Sequence, residues 1–159
     1  MLVKGIIDED FINYKRPSMV IAFPKCDLKC DRECGRAMCQ NSPLLSQPNV
    51  KIPYIKIIDR YLSNPITEAI VCQGLEPFDS SLDVLNLLFC LRVHYGRYDD
   101  FVIYTGYNED EIEDWIIDKL KWYGNVIIKY GRYIPDQEPH YDEVLGVNLA
   151  SDNQYAERL

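Results

Sequence analysis

The stretch Met19-Val-Ile-Ala-Phe23-Pro24-Lys25-Cys26-Asp-Leu-Lys-Cys30-Asp-Arg-Glu-Cys34-Gly-Arg-Ala-Met-Cys39-Gln-Asn41 decides the fold. Its apolar start, closed by Pro24, reads as a buried strand. Four of the chain's six cysteines follow on a polar loop. Packing alone would scatter thiols through apolar segments, so thiols gathered at a strand's exit point to metal or cluster chemistry.

Upstream, Leu2–Ile7 reads as a short strand, and the polar segment through Arg16-Pro17 as a turn or edge. Downstream, Pro43 and Pro48 keep the chain irregular. Tyr54, Ile55, Ile57, Ile58, Tyr61 and Leu62 have helical spacing, with Pro53 in the first turn. Ile66–Cys72 is a second strand with Gln73–Phe78 as its exit loop, and Ser81–Val93 is an apolar helix. Phe101–Tyr104 is a third strand, followed by Thr105-Gly106-Tyr107. Asn108 is placed to cap a helix reaching Tyr123, with Glu111 at the capping-box position. Gly124 ends that helix and Asn125–Lys129 is a fourth strand. The tail from Tyr130 is turn-rich and holds one more apolar run, Val144–Leu149.

Strands alternating with helices predict a parallel sheet joined by right-handed crossovers. Strands this uniformly apolar predict that both faces are covered. The chain has 159 residues, and a closed eight-unit barrel takes ~250. The expected fold is therefore α/β, a single domain over 1–159 forming a partial, open (β/α) barrel with a mostly parallel sheet. Ligands collect at the carboxyl ends of such strands. Three loops fall there: the cysteine loop at 25–44, Gly74–Pro77, and Thr105–Tyr107.

A net charge of −8 with no cluster of Lys and Arg argues against a nucleic-acid surface. No basic start leads into an apolar leader, and no apolar run nears the ~18 residues of a membrane span. The expectation is a cytoplasmic protein without membrane contact, whose thiols stay reduced and bind metal rather than pair as disulfides.

Iron–sulfur clusters are held by cysteine thiolates. Three protein ligands leave one iron open, as a reactive metal site requires. The alternative is a structural zinc ion on Cys26, Cys30, Cys34 and Cys39, in a non-catalytic binding module. Zinc sites, however, set paired thiols apart by a longer spacer, which this tract lacks. Cys72 and Cys90 read as packing thiols. His94 and His140 have no ligand spacing around them, and Glu109–Asp114 reads as a solvated helix start.

These residues carry a resemblance. Phe23-Pro-Lys-Cys26-x₃-Cys30, ending in Cys39-Gln-Asn41, resembles the cluster loop of the radical S-adenosylmethionine (SAM) enzymes. It is most similar to that of the activating proteins of anaerobic ribonucleotide reductase, which close a Cys-x₃-Cys-x₂-Cys loop with Cys-His-Asn. Gly74-Leu-Glu-Pro77 resembles their Gly-Gly-Glu-Pro motif, and Ile103-Tyr-Thr-Gly-Tyr107 their Tyr-Thr-Gly-Tyr segment. Ile128-Lys-Tyr-Gly-Arg-Tyr133 and Ala150-Ser-Asp-Asn-Gln154 are similar to their late Gly-Arg-Phe and Ser-Ser-Asn-Gln segments, in the same order. Two positions depart from the pattern. The third cysteine is Cys39, which keeps Gln-Asn in the place of His-Asn, or alternatively Cys34. Leu75 replaces the second glycine.

The resemblance implies a 4Fe-4S cluster on Cys26, Cys30 and Cys39, and SAM bound by Gly74, Leu75, Glu76, Pro77, Thr105 and Gly106. It implies reductive cleavage of SAM and a glycyl radical raised on a large reductase subunit, with a flavodoxin- or ferredoxin-type electron donor. A second reading within the same chemistry is a small-molecule substrate, as in the similar carboxy-deazaguanine synthases.

Overall fold

Along Ser18–Phe23, Met19, Ile21 and Phe23 turn to one side and Val20 to the other, and all four are buried. The two sides belong to different cores. A computed structural model describes all 159 residues. Its strands are β1 (Leu2–Val3), β2 (Gly5–Asp10), β3 (Ser18–Phe23), β4 (Val50–Lys51), β5 (Ala69–Gly74), β6 (Asp100–Tyr104), β7 (Val126–Tyr130), β8 (His140–Asp142), β9 (Val147–Leu149) and β10 (Tyr155–Arg158). Its α-helices are α1 (Lys29–Cys34), α2 (Tyr54–Leu62), α3 (Ser81–Phe89) and α4 (Asp114–Tyr123).

Six strands form one sheet in the order β2-β3-β5-β6-β7-β10. The pairs β3–β5, β5–β6 and β6–β7 are parallel, while β2 and β10 close the two edges antiparallel. The fold is thus α/β with a mixed, mostly parallel sheet, and the sheet does not close on itself. Its strands run across in chain order. Successive crossovers of one hand then step the same way and stack their helices on one face.

The two cores show this segregation. On the first face Met19, Ile21, Phe23, Ile70, Cys72, Phe101, Ile103, Val126 and Ile128 meet Ile57, Ile58 and Tyr61 of α2, Val84, Leu87 and Leu88 of α3, and Ile116 and Leu120 of α4. On the second face Val20, Val71, Val102 and Ile127 lie under Tyr14, Leu145 and Leu149, from the loop before β3 and the β8–β9 hairpin. Both faces are covered, as the apolar strands predict, but only one by helices.

Four details differ from the sequence expectation. The first strand breaks at Lys4: β1 pairs with β4, while β2 runs on to Asp10 along the sheet edge. The apolar helix from Ser81 stops at Phe89 and continues as a wider π turn, Cys90–His94. That turn holds Arg92 4% exposed, where its guanidinium donates to the carbonyls of Arg97, Asp99, Gly124 and Asn125 at 2.8–3.3 Å.

Asn108 opens only a 3₁₀ turn, Glu109–Glu111. Its N–H donates to Glu111 Oε2 at 2.8 Å, Ile112 is extended and buried, and α4 starts afresh at Asp114. The polar tail supplies β10, paired along β7 from Tyr155–Tyr130 to Arg158–Ile127. Cys72 is fully buried in the helix-side core and Cys90 packs half-buried against it, both as packing thiols. No helix is long and apolar enough to cross a membrane.

Candidate functional site

The second face is open at the carboxyl ends of the parallel strands, and a cavity of about 420 Å³ lies there. Register sets its floor. Ala22 pairs with Gln73, and Tyr104 with Lys129, one residue beyond the Cys72–Ile103 pair. These four residues form a row facing away from the helices, because side chains alternate along each strand. Ile12 and Asn13 line one side, and Val147–Ala150 with Gln154 the other.

The cysteine loop forms the roof. Cys26 Sγ accepts the Leu28 N–H at 3.3 Å, and Leu28 takes a left-handed conformation that starts the short helix α1. Asp31 Oδ1 then accepts the N–H groups of both Met38 and Cys39 at 2.9 Å, folding the end of the loop back on its start. As a result Cys26, Cys30 and Cys39 line the cavity together with Asn41. Cys34 is exposed and lies outside it.

The β5 exit needs its first glycine. Gly74 has φ +93°, and a Cβ there would sit 2.9 Å from Ala22 Cα, on the neighbouring strand. Leu75 has no positive φ and is buried against the cavity, so leucine replaces glycine there without backbone strain. Glu76 is 5% exposed. Its carboxylate accepts the Phe78 N–H at 3.0 Å, the Thr105 hydroxyl at 2.7 Å and the Gly106 N–H at 2.9 Å. It therefore ties the β5 exit to the β6 exit. Of the residues expected to bind the cofactor, Gly74, Leu75, Glu76, Thr105 and Gly106 line the cavity, while Pro77 is buried behind it.

A charged clamp fastens the roof to the sheet. Arg132 donates to both oxygens of Glu111, at 2.6 and 2.7 Å, and pairs with Glu33 of α1 at 3.2 Å. Lys29 of α1 also pairs with Glu111. Both cations lie over the Tyr107 ring, 5.8 and 5.9 Å from its centroid, and the Tyr107 hydroxyl donates to Asp79. Glu111 is thus not simply solvated, as the acidic run suggested. It is the hub of the clamp.

Burial dominates the titration of the site. It pushes the Cys26 thiol up to about 11, against the Leu28 N–H, and raises Cys30, with Cys39 beside it adding to the effect. It lifts the Glu76 carboxyl to about 7, against the donors from Phe78, Gly106 and Thr105. It lowers Lys129 to about 8, partly offset by Glu76 and Cys30. At Glu111 the Arg132 guanidinium wins and holds the carboxyl at about 2.

Three half-buried thiols on one cavity, with a fourth turned out, fit a cluster with a free corner. No three of the four clustered thiols have sulfurs within 4.8 Å of one another. Cys26 Sγ and carboxylate oxygens of Asp27 and Asp79 lie within 4.8 Å of one another, but Arg32 engages Asp27 and Tyr107 engages Asp79.

No family model, curated protein or solved structure matches the chain. The site is consequently read from its own chemistry.

Several of its residues escaped the sequence reading. Lys129 ends an apolar strand, where a lysine ordinarily reaches solvent; only the β6–β7 register turns it into the cavity. Gln73, read as the start of an exit loop, instead lies within β5. Arg132 and Gln154 fall in segments that the resemblance picked out, but neither had a role assigned.

Proposed function

We propose that this chain is a radical SAM enzyme. Cys26, Cys30 and Cys39 would hold a 4Fe-4S cluster, and Gly74–Glu76 with Thr105–Gly106 would border the SAM site. The observation carrying this reading is the convergence of those three thiols and both strand exits on one cavity. When bound and reduced, such a cluster supplies one electron to the sulfonium, giving methionine and a 5′-deoxyadenosyl radical.

The chain's own residues orient and shield. Glu76, with its carboxylate committed to three donors, positions the two exits relative to each other. Leu75 and the other apolar lining residues give the cavity a nonpolar wall beside its polar groups. The Arg132–Glu111–Lys29 clamp keeps α1, and with it Cys30, over Gly106, where a Cβ would stand 3.5 Å from Cys30 Sγ. Strands in chain order with α2, α3 and α4 on one face support the reading of a partial barrel, in which the ligand would lie on the other, inner side.

The substrate reading that follows the sequence is a backbone glycine of a large anaerobic ribonucleotide reductase subunit, with a flavodoxin- or ferredoxin-type donor in a reducing cytoplasm. Ile12 at the cavity edge is 78% exposed and the adjacent Phe11 64%. An apolar tip of this kind suits a protein surface. The small-molecule reading is favoured by a different observation, the buried Lys129 on the cavity floor.

The test is anaerobic reconstitution with iron and sulfide, reduction, and addition of SAM. 5′-Deoxyadenosine and methionine should appear in equal amounts and vanish in Cys39→Ala. Wild-type protein that carries the cluster yet yields neither product contradicts the proposal. A stable glycyl EPR doublet on a co-incubated reductase selects the first substrate reading.

A further inference from the structure

α3 lies between the other two long helices. Asp83 accepts the Tyr54 hydroxyl from α2, and Arg92 reaches the carbonyls of Gly124 and Asn125 just beyond α4. The sheet side of α3 and its π turn buries Val84, Leu87, Leu88 and Leu91. The opposite side is apolar as well. At 3.6 residues per turn, Leu82, Asn86, Phe89 and Val93 fall in one line along it. Leu82 is 65% exposed, Phe89 49% and Val93 53%. On α4, Trp115 and Trp122 stand two turns apart on the flank toward α3, 45% and 73% exposed. A helix apolar all round is one covered on every side.

With ~150–250 Å² on each aromatic side chain, these five apolar residues leave on the order of 500 Å² open. The largest patch on a monomer is ~300–600 Å², and each partner in a standard interface gives ~800 Å². With the polar residues among it, the patch is the size of one half of a dimer contact.

The face also matches itself. α3 and its π turn run from Ser81 to His94, and their middle falls between Leu87 and Leu88. Leu82 and Val93 are equally far from that middle, and so are Asn86 and Phe89. The middle of α4 falls between Asp118 and Lys119, with Trp115 and Trp122 equally far out. A half-turn about one axis crossing both middles lays Leu82 on Val93 of a second copy, Trp115 on its Trp122, and Asp118 beside its Lys119. Asp118 and Lys119 are exposed and form no ion pair within the chain. Opposite charges side by side suit a face that meets its own copy. A face made for an acidic or a basic partner carries one sign.

We propose that the outer faces of α3 and α4 form an isologous interface, through which this chain pairs with a second copy of itself, helices antiparallel. The two cavities then open away from the contact, on the far side of each sheet. The interface uses no residue of the candidate site and holds whatever that site binds.

The experiment is sedimentation velocity on the full chain without cluster, in a thiol reductant, over a range of concentrations. Wild type should sediment as a dimer. Phe89→Asp and Trp122→Asp should sediment as monomers at the same concentrations, with far-UV circular dichroism unchanged because both side chains are exposed. Asp118→Lys and Lys119→Asp each set two pairs of like charges against one another, and each should weaken the dimer about tenfold. An equimolar mixture of those two variants restores both opposite-charge pairs and should dimerise like wild type.

A wild type that stays monomeric at every concentration overturns the second copy and leaves the face to a different protein. A dimer that survives both Phe89→Asp and Trp122→Asp is held elsewhere, which also overturns the proposal. A mixture no tighter than the single charge variants overturns the antiparallel register.

Discussion

The carboxylate of Glu76 accepts the backbone N–H of Gly106 at 2.9 Å, although the two residues leave different strands of the sheet. Together with the Thr105 hydroxyl at 2.7 Å, this bond fixes the spacing of the two exits that border the cavity. Glu76→Ala would leave three buried donors unpaired and should cost about 2–4 kcal/mol in urea unfolding. Glu76→Gln keeps one acceptor oxygen and should cost about half as much. Equal losses for the two variants would mean that volume matters there and hydrogen bonding does not.

Gly74 and Gly5 both lie in strands but should respond very differently to alanine. At Gly74 the new methyl meets the Ala22 backbone at 2.9 Å with φ +93°, and the expected loss is about 2–4 kcal/mol. At Gly5 nothing lies within 4 Å and φ is not positive, so Gly5→Ala should stay within about 0.5 kcal/mol of wild type. Denaturant midpoints of the two variants decide the point.

The clamp has a pH signature. Arg132 holds Glu111 at about 2, below its ordinary 4.5. A depressed carboxyl stabilises the fold fully above about pH 4.5 and loses that contribution as pH falls from there toward 2. Wild type should therefore exceed Glu111→Gln by about 1–2 kcal/mol at pH 6, discounted for partial exposure. The gap should close on acidification across that window. A gap independent of pH would show that Glu111 acts through packing and not through its charge.

Arg92 is the main polar anchor on the helix side. Its guanidinium satisfies four carbonyls around the π turn and the start of β7. Arg92→Met removes those bonds and strands the carbonyls, so it should cost about 2–4 kcal/mol, read as a lower thermal midpoint.

The parallel centre of the fold was legible because Met19–Phe23, Phe101–Tyr104 and Val126–Ile128 are unbroken apolar runs, as strands buried on both faces must be. β10 was not, because Tyr155-Ala-Glu-Arg158 is an edge strand with three exposed residues and carries no apolar signature. The break before α4 was hidden for another reason. Asn108 and Glu111 have capping chemistry, but Glu111 spends its carboxylate on Arg132 and Lys29, which lie far away in sequence. Likewise, that Cys39 and not Cys34 lines the cavity depends on Asp31 folding the loop back, a contact that spacing alone does not reveal.

That choice also gives the most direct test of the whole reading. Wild type, Cys34→Ala and Cys39→Ala are reconstituted anaerobically with iron and sulfide, reduced, and examined by EPR with and without SAM. The expected result is a 4Fe-4S signal that SAM perturbs in wild type and in Cys34→Ala, with neither cluster nor signal in Cys39→Ala. Stoichiometric zinc bound through all four thiols, or a cluster that survives loss of Cys39 but not of Cys34, would contradict it.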